Sequence, residues 1–151
     1  MYNNYAMANL LEIKKKTTCA SALVRTLVNL GVNSIFGYPG ASVLSVYNEL
    51  SKTDEIKHYL VRHEQAAVHA AEGYARISGK PGIVLVTSGP GFTNTITGIA
   101  NAYADLTPLV VLAGDVAVSE NNGKIFQNVD IISIVKSCSK KCYMFSDGDD
   151  I

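Results

Sequence analysis

The sequence has no excess of charge of either sign, no apolar run long enough to cross a membrane, and only three cysteines. Thirteen basic residues balance thirteen acidic ones, so the chain lacks the net field that gathers nucleic acid or an anionic membrane surface. The longest apolar runs, such as 108–113, are far shorter than the roughly 20 residues of a membrane-spanning helix. We therefore expect neither nucleic acid nor a membrane as a partner.

No signal for export is visible near the start of the chain. The lysines at 14–16 follow the early apolar residues, which is the reverse of the order in a signal peptide. Cys19, Cys138 and Cys142 are an odd number without Cys-x-x-Cys spacing, so they predict neither a disulfide framework nor a zinc site. Free thiols are typical of a reducing compartment, and we expect a soluble intracellular protein, most simply a cytoplasmic one.

The sequence does contain a regular alternation of short apolar strands and helical segments. Its 151 residues, 48% of them hydrophobic, are enough for one domain with a single core. Strands are predicted at 34–36, 57–61, 83–86, 108–113 and 141–145, and helices from 17 or 18 to 31, from 43 to 50, and over 64–77, 92–105 and 129–137. The strands lack polar alternation, which is typical of a parallel sheet covered on both faces. The predicted fold is an α/β domain of three layers, α/β/α, with a mainly parallel central sheet.

The predicted domain occupies residues 17–146. Residues 1–16 are polar and asparagine-rich and are predicted to form a flexible lead-in. Residues 147–151 are predicted to begin a linker that is cut short.

Three loops are candidates for a ligand site because they follow the carboxyl ends of predicted strands, where ligands bind in open α/β sheets. These loops are 37–42, 62–65 and 87–94. Each contains glycine, which lets the backbone approach a ligand closely, or an ionisable group in the first turn of a helix. Any one of them alone is explained as a turn that serves the fold, but three in succession indicate a site.

Glu64 is the strongest single candidate for a functional residue. At a helix start its anion is stabilised by the helix dipole by about 0.3–1 kcal/mol, and for the residue alone this structural explanation is the simpler one. The helix that follows consists largely of alanine and glycine between 66 and 75, so another helix can approach it, from the same chain or across a dimer interface. A carboxylate crowded there would lose hydration and be suited to share a proton.

Several common motifs are incomplete or absent. His63 and His69 lack the i, i+4 spacing of a helical metal pair, and no metal site is predicted. The stretch 73–80 lacks the spacing and the Ser or Thr of a phosphate loop. Ser88 lacks the Gly-x-Ser-x-Gly context of a serine hydrolase. No Gly-x-Gly-x-x-Gly follows a strand, which disfavours a dinucleotide-binding fold.

Four segments together resemble the thiamine diphosphate enzymes, and above all the N-terminal, pyrimidine-binding domain of the acetolactate synthase (acetohydroxyacid synthase) catalytic subunit. They are FGYPGAS at 36–42, RHEQAAVHAAEGYARISGKPG at 62–82, TSGPGFTNTITGIANAYAD at 87–105 and FQNVD at 126–130. The resemblance covers residues 18–145 in the family's order. It implies an enzyme that decarboxylates a 2-keto acid, pyruvate, and condenses it with a second 2-keto acid.

The resemblance also implies roles for individual residues. Glu64 becomes the catalytic residue, which hydrogen-bonds the ring nitrogen N1′ of the cofactor's aminopyrimidine and so promotes proton removal from the thiazolium. The cofactor-binding residues are, besides Glu64, Pro39, Gly40, Pro90, Gly91 and Asn94. The substrate pocket is implied to contain Tyr38, Ala41, Ser42 and Gln127. The expected cofactor is thiamine diphosphate, held here by its pyrimidine end only, with magnesium, and FAD as a further possibility, bound through regions absent from this chain.

The sequence departs from the family in ways that bear on substrate more than on cofactor. Residues 40–42 read Gly-Ala-Ser where the family usually has Gly-Gly-Ala, Asn128 stands where it has Glu, and Asp115 where it has Gln. The family's diphosphate motif lies in a separate C-terminal domain, and residues 147–149 lack its further ligands. We therefore expect half a site at most and no turnover from these 151 residues alone.

The expected partners are a second copy or a partner subunit, contacting through the alanine-rich helices 64–77 and 92–105, and a small 2-keto acid. Two alternatives stay open at this stage. One is a non-catalytic remnant or interaction module of the same fold. The other is a related thiamine diphosphate decarboxylase or lyase.

Overall fold

The computed structural model of the chain describes residues 17–115 and 129–145. Its strands are β1 (Ser34–Gly37), β2 (Lys57–Leu60), β3 (Gly82–Val86) and β4 (Leu109–Ala113). Its helices are α1 (Cys19–Asn29), α2 (Leu44–Leu50), α3 (Glu64–Ser78), α4 (Pro90–Thr93), α5 (Ile96–Ala104) and α6 (Ile131–Val135), with a 3₁₀ turn at Ala41–Val43 before α2. The predicted lead-in at 1–16 and linker at 147–151 lie outside the described residues.

All four strands run parallel, in the order β2-β1-β3-β4. Successive side chains of a strand lie on opposite faces, and here they belong to two separate cores. Ile35 and Leu85 pack with the residues of α1 and α2, whereas Phe36 and Val84 pack with α3, α5 and α6. The predicted α/β/α fold with three layers is confirmed.

The helix ends follow local sequence signals. The side chain of Thr18 caps α1 by accepting a hydrogen bond of 3.2 Å from the Ser21 amide, which is the usual action of a threonine N-cap. Helix α3 ends at Gly79, which has a φ of +70°, a left-handed conformation that glycine adopts without steric cost. These boundaries agree with the sequence prediction.

Small residues let α3 lie close to its neighbours. A Cβ at Gly98 of α5 would lie 2.5 Å from Cγ1 of Val68, and one at Gly82 of β3 would lie 2.2 Å from the carbonyl oxygen of Ala71. Both distances are shorter than any tolerated contact, so glycine is required at these two places. The expectation that another helix approaches the alanine-rich helix is met within the chain by α5.

The predicted helix over 92–105 is wrong, because the structure has two helices, α4 and α5. Both the amide and the hydroxyl of Thr95 donate to the carbonyl oxygen of Phe92, at 2.8 and 2.6 Å. These i to i+3 contacts occupy the acceptor that a continuous α-helix would offer to Ile96. The chain therefore turns between the two helices.

The predicted strand over 141–145 is also wrong. All five residues are exposed and are assigned to neither strand nor helix. The rings of Tyr143 and Phe145 stack on each other, with centroids 6.4 Å apart, so the alternating aromatic side chains that resembled a strand contact one another at the surface. In the described residues β4 pairs only with β3.

The edge strands are less covered than their apolar sequences suggest. Strands β1 and β3 are buried throughout, whereas β2 and β4 are only partly buried because each pairs on one side in the described part of the chain. None of the helices in that part has the length and apolarity needed to cross a bilayer.

Candidate functional site

The strand order creates a crevice at the carboxyl ends of β1 and β3. These strands are neighbours, with Gly37 opposite Leu85, but their connections leave to opposite faces. The chain after β1 enters α2, whose Leu50 belongs to one core, and the chain after β3 enters α4, whose Phe92 belongs to the other. Adjacent parallel strands with diverging connections form the topological switch point at which open α/β sheets bind ligands.

The three loops predicted as a site meet at this edge. The amide of Tyr38 donates to the carbonyl oxygen of Leu85 at 3.2 Å, and the amide of Val61 donates to that of Gly37 at 3.1 Å. The loops 37–42, 62–65 and 87–94 therefore emerge side by side. The fold thus brings together the three loops that the sequence analysis had assigned to the ligand-binding edge of the sheet.

Glu64 is the first residue of α3 but does not cap it. The preceding His63 is the N-cap, and its Nδ1 accepts a hydrogen bond of 3.2 Å from the amide of Gln65. Oε2 of Glu64 accepts a hydrogen bond of 3.0 Å from Nδ2 of Asn94 instead. Glu64 thus lies in the first turn of α3, where the helix dipole favours its anion, and it also makes a contact between two loops of the crevice.

The second carboxylate oxygen of Glu64 faces Gly91. A Cβ at Gly91 would lie 3.6 Å from Oε1, an ordinary van der Waals distance. Within residues 17–115 and 129–145 no donor bonds Oε1, and no buried side-chain oxygen there lacks a partner, so Oε1 is reachable from outside. The partly buried Glu64 therefore presents one fixed oxygen and one open acceptor.

Thr87, the first residue of the predicted loop 87–94, is central to the site, although the sequence prediction gave it no individual role. A Cβ at Gly40 would lie 2.4 Å from Cβ of Thr87, and one at Gly91 would lie 2.6 Å from its Cγ2. Two glycines 51 positions apart, in loops after different strands, thus make room for the same side chain. No local sequence signal marks Thr87, since its importance arises only from the pairing of β1 with β3.

Some of the other predicted site residues are exposed, whereas Ser42 is hydrogen-bonded within the protein. Those that are exposed at the crevice edge are Tyr38, Pro39, Ala41 and Pro90. The Ser42 hydroxyl is 2.9 Å from Oγ1 of Thr87 and accepts from the amide of Ser88 at 3.0 Å. Gln127 lies outside the described residues.

A second carboxylate of α3, Glu72, is buried away from the crevice. Arg76 donates to its Oε1 at 2.7 Å, and Nδ2 of Asn101 donates to both of its oxygens, at 2.8 and 3.0 Å. The hydrogen bond from Arg76 holds the pKa of Glu72 below its usual value, aided by Asn101 and opposed by burial. Arg76 also pairs with Asp105 after α5. This network fixes α3 against α5.

Tyr47 and His58 form a polar pair beneath the first loop of the crevice. The Tyr47 hydroxyl lies 3.0 Å from Nε2 of His58, and the two rings meet edge to face. Burial raises the pKa of Tyr47 and lowers that of His58. A Cβ at Gly37 would lie 2.9 Å from the Tyr47 hydroxyl, so the pair supports the end of β1.

In the described parts of the chain no group of His, Cys, Asp and Glu side chains could hold a metal ion.

The chain is an open parallel α/β domain of the class that binds ligands at a topological switch point, and sequence comparison identifies its family. Residues 17–134 match the family described as thiamine pyrophosphate enzyme, N-terminal TPP binding domain. The chain belongs to this family.

Several proteins similar to this chain are acetolactate synthases. The chain is 51% identical over 132 residues to the acetolactate synthase isozyme 3 large subunit of Escherichia coli K12, which covers 87% of this chain and 23% of that protein. It is 50% identical over 109 residues to the mitochondrial acetolactate synthase catalytic subunit of Saccharomyces cerevisiae, which covers 72% and 16%. The matched region is less than a quarter of each relative's length.

Proposed function

We propose that this chain is the pyrimidine-binding part of a thiamine diphosphate-dependent acetolactate synthase. The observation that carries the proposal is the Glu64 carboxylate at the switch point, with Oε2 held by Asn94 at 3.0 Å and Oε1 open beside Gly91. The named relatives, about half identical in sequence, support this activity over a non-catalytic remnant or another lyase of the superfamily.

The described residues fit the pyrimidine end of the cofactor. Glu64 supplies an acceptor for a ring nitrogen, and Asn94 holds the carboxylate so that Oε1 keeps one orientation. Gly91 keeps the space beside Oε1 free of a side chain, and Pro39 and Pro90 form the exposed rims of the crevice. When bound, thiamine diphosphate supplies the nucleophilic carbon and the electron sink for decarboxylation of one 2-keto acid and its joining to a second.

The protein's own part in this chemistry is to orient the ring and to hold a proton at Oε1. A carboxylate that shares a proton with a ring nitrogen acts as a general acid and base, and such catalysis contributes typically about 10²–10⁴-fold to a rate. Tyr38 and Ala41 are proposed to contact the 2-keto acid, and their exposure at the same edge supports this. As the resemblance implies, magnesium and the diphosphate end are assigned to regions absent from these 151 residues, and so is FAD where an enzyme of the family binds it.

The proposed partner is a second copy of the chain or a companion subunit, facing α3 and α5. On the outer side of α3, Ala66 and Ala70 are exposed and Ile77 is 92% exposed. Among residues 17–115 and 129–145, a Cβ at Gly73 would meet nothing within 4 Å. These residues therefore give no packing reason for a glycine in mid-helix, where it costs roughly 0.5–1 kcal/mol relative to alanine. The test of this interface is Ala70→Glu, which is expected to abolish association of the chain as measured by sedimentation. Unchanged association would contradict the interface.

We propose a cytoplasmic location because the cysteines carry free thiols. Cys19, Cys138 and Cys142 are all free, and free thiols persist where the redox poise is reducing.

The central experiment compares the longest natural form of this chain with its Glu64→Gln variant. With thiamine diphosphate, magnesium and pyruvate, acetolactate formation is expected to fall at least about a hundredfold in the variant, since an amide cannot hold the proton. Glu49→Gln, a change on α2 away from the crevice, is the matched control and should keep full activity. Undiminished acetolactate formation by Glu64→Gln would refute the proposed function.

A further inference from the structure

We propose that Ser42 and Thr87 form a positioning pair that locks the loop after β1 to the loop after β3 and so fixes Gly91 beside Glu64. The pairing itself is independent of any cofactor. Its value for catalysis rests on the proposed function, because that function gives Glu64 its task.

The hydroxyl of Ser42 is committed to contacts within the protein. It lies 2.9 Å from Oγ1 of Thr87 and accepts from the amide of Ser88 at 3.0 Å. A serine hydroxyl has one proton to donate and two lone pairs, so it can donate to Thr87 while it accepts from Ser88. These two bonds join residues 45 and 46 positions apart, and both cross the crevice.

Shape adds to the hydrogen bonds. Thr87 lies against both Gly40 and Gly91, where a Cβ would lie 2.4 and 2.6 Å from its nearest atoms. Ser42 lies in the same way against Gly114 after β4, where a Cβ would come within 2.1 Å of its hydroxyl oxygen. Glycine backbone from three loops therefore packs against the pair, and a side chain at any of these glycines would overlap it.

The link to Glu64 passes through Gly91. One face of Gly91 contacts Thr87, and the same residue lies beside Oε1 of Glu64, 3.6 Å from the place of a Cβ. A shift of Thr87 would change the room in front of that oxygen. The sequence placed Ser42 in the substrate pocket. The geometry instead makes Ser42 and Thr87 positioning residues that act through Gly91.

The first test removes each hydroxyl from the chain in the absence of cofactor. In Ser42→Ala the Ser88 amide loses its acceptor, and its hydrogen exchange is expected to become about fivefold faster, which corresponds to a hydrogen bond of about 1 kcal/mol. Thr87→Val keeps the shape and removes Oγ1, whereas Thr87→Ser keeps the hydroxyl. Ser45→Ala, an exposed serine of α2, is the matched control and should leave the exchange unchanged.

A second measurement separates positioning from general stability. The side-chain amide of Asn94 reports the Glu64 contact by its NMR resonances under native conditions. We expect these resonances to shift in Ser42→Ala and Thr87→Val, to return toward wild type in Thr87→Ser, and to stay in place in Ser45→Ala. A residue that only stabilised the fold would leave them unmoved while the chain is folded.

The outcomes distinguish this inference from the proposed function. Unchanged Ser88 exchange in Ser42→Ala, or unmoved Asn94 resonances in both hydroxyl-free variants, overturns the positioning pair even if the wild-type protein binds thiamine diphosphate. If Ser42→Ala does not fold, the contrast between Thr87→Val and Thr87→Ser decides the question alone. If the variants show these effects but the longest natural form of the chain binds no thiamine diphosphate, the pair stands and the proposed function is refuted.

Discussion

The side-chain amide of Asn94 donates a hydrogen bond of 3.0 Å to Oε2 of Glu64. Glu64 begins α3, after β2, and Asn94 ends α4, after β3, so the contact joins two loops that belong to strands on opposite sides of β1. It orients the carboxylate on which the proposed chemistry depends.

Removal of this donor should weaken cofactor binding. In Asn94→Ala the carboxylate loses its fixed orientation, and we expect the Kd for thiamine diphosphate to rise about tenfold, in line with a hydrogen bond of about 1.5 kcal/mol to a charged group. Asn94→Asp should weaken binding further because two carboxylates would face each other. Titration calorimetry on the longest natural form measures both. Asn48→Ala on exposed α2 is the control, and equal affinity in Asn94→Ala would contradict the orienting role.

The contact of α5 with α3 predicts opposite effects of two glycine replacements. Gly98→Ala should lower the free energy of unfolding by about 1–3 kcal/mol, because the new methyl overlaps Val68 in a buried contact. In the monomeric chain Gly73→Ala should raise it by about 0.4–1 kcal/mol, since no described residue lies within 4 Å of the new methyl and the unfolded chain loses entropy. Urea denaturation measures both. The double variant Val68→Ala/Gly98→Ala should cost less than the sum of the single changes; strict additivity would argue against the overlap.

The contribution of Glu72 to the stability of the fold should depend on pH. Its pKa is held below the usual 4.5, first of all by Arg76, so the ionised form favours folding. That contribution is complete above pH 4.5 and is lost as the pH falls through the lowered folded value. Glu72→Gln should reduce the Tm by a few degrees at pH 7, and the gap to wild type should narrow toward pH 3. Glu49→Gln breaks only a surface pair with Lys52 and should change little; a gap that persists in acid would contradict the assignment.

His58 should give a second loss of stability at a higher pH. Burial lowers its pKa below the usual 6.5, so the unfolded chain binds the proton more readily than the folded one. Stability is therefore full above pH 6.5 and falls as the pH drops from there toward the folded value. Thermal unfolding between pH 7.5 and 5 measures this slope. His58→Gln should flatten it, whereas Ser45→Ala, at an exposed site, should keep it.

Much of the fold could be predicted because its signals are local. The buried runs of β1 and β3 and the left-handed Gly79 are visible in the sequence, and they fixed the sheet and the end of α3. The break between α4 and α5 was missed because it depends on the hydrogen bond from the Thr95 hydroxyl to the Phe92 carbonyl oxygen. The sequence alone does not distinguish a threonine that makes this bond from one inside a continuous helix. The strand over 141–145 was wrongly predicted because alternation alone does not supply a neighbouring strand.

The candidate site was predictable to the level of loops and one acid. Glu64 and Asn94 were both assigned to the pyrimidine site through the family resemblance, and the structure brings them into contact. Thr87 was not assigned, and Ser42 was assigned to substrate. Both depend on which atoms of distant loops meet, and that information arises only when β1 pairs with β3.

The pairing of β1 with β3 has a kinetic consequence for the site. Phe36 lies opposite Val84, with all of β2 and α3 between them in the chain. Strand pairs so distant in sequence close slowly because loop-closure entropy must be overcome first. No short peptide from this sequence contains the crevice, and a nascent chain acquires it only after β3 has been synthesised. During refolding, the contact between Asn94 and Glu64 should therefore form together with the slow closure of the sheet and never before it.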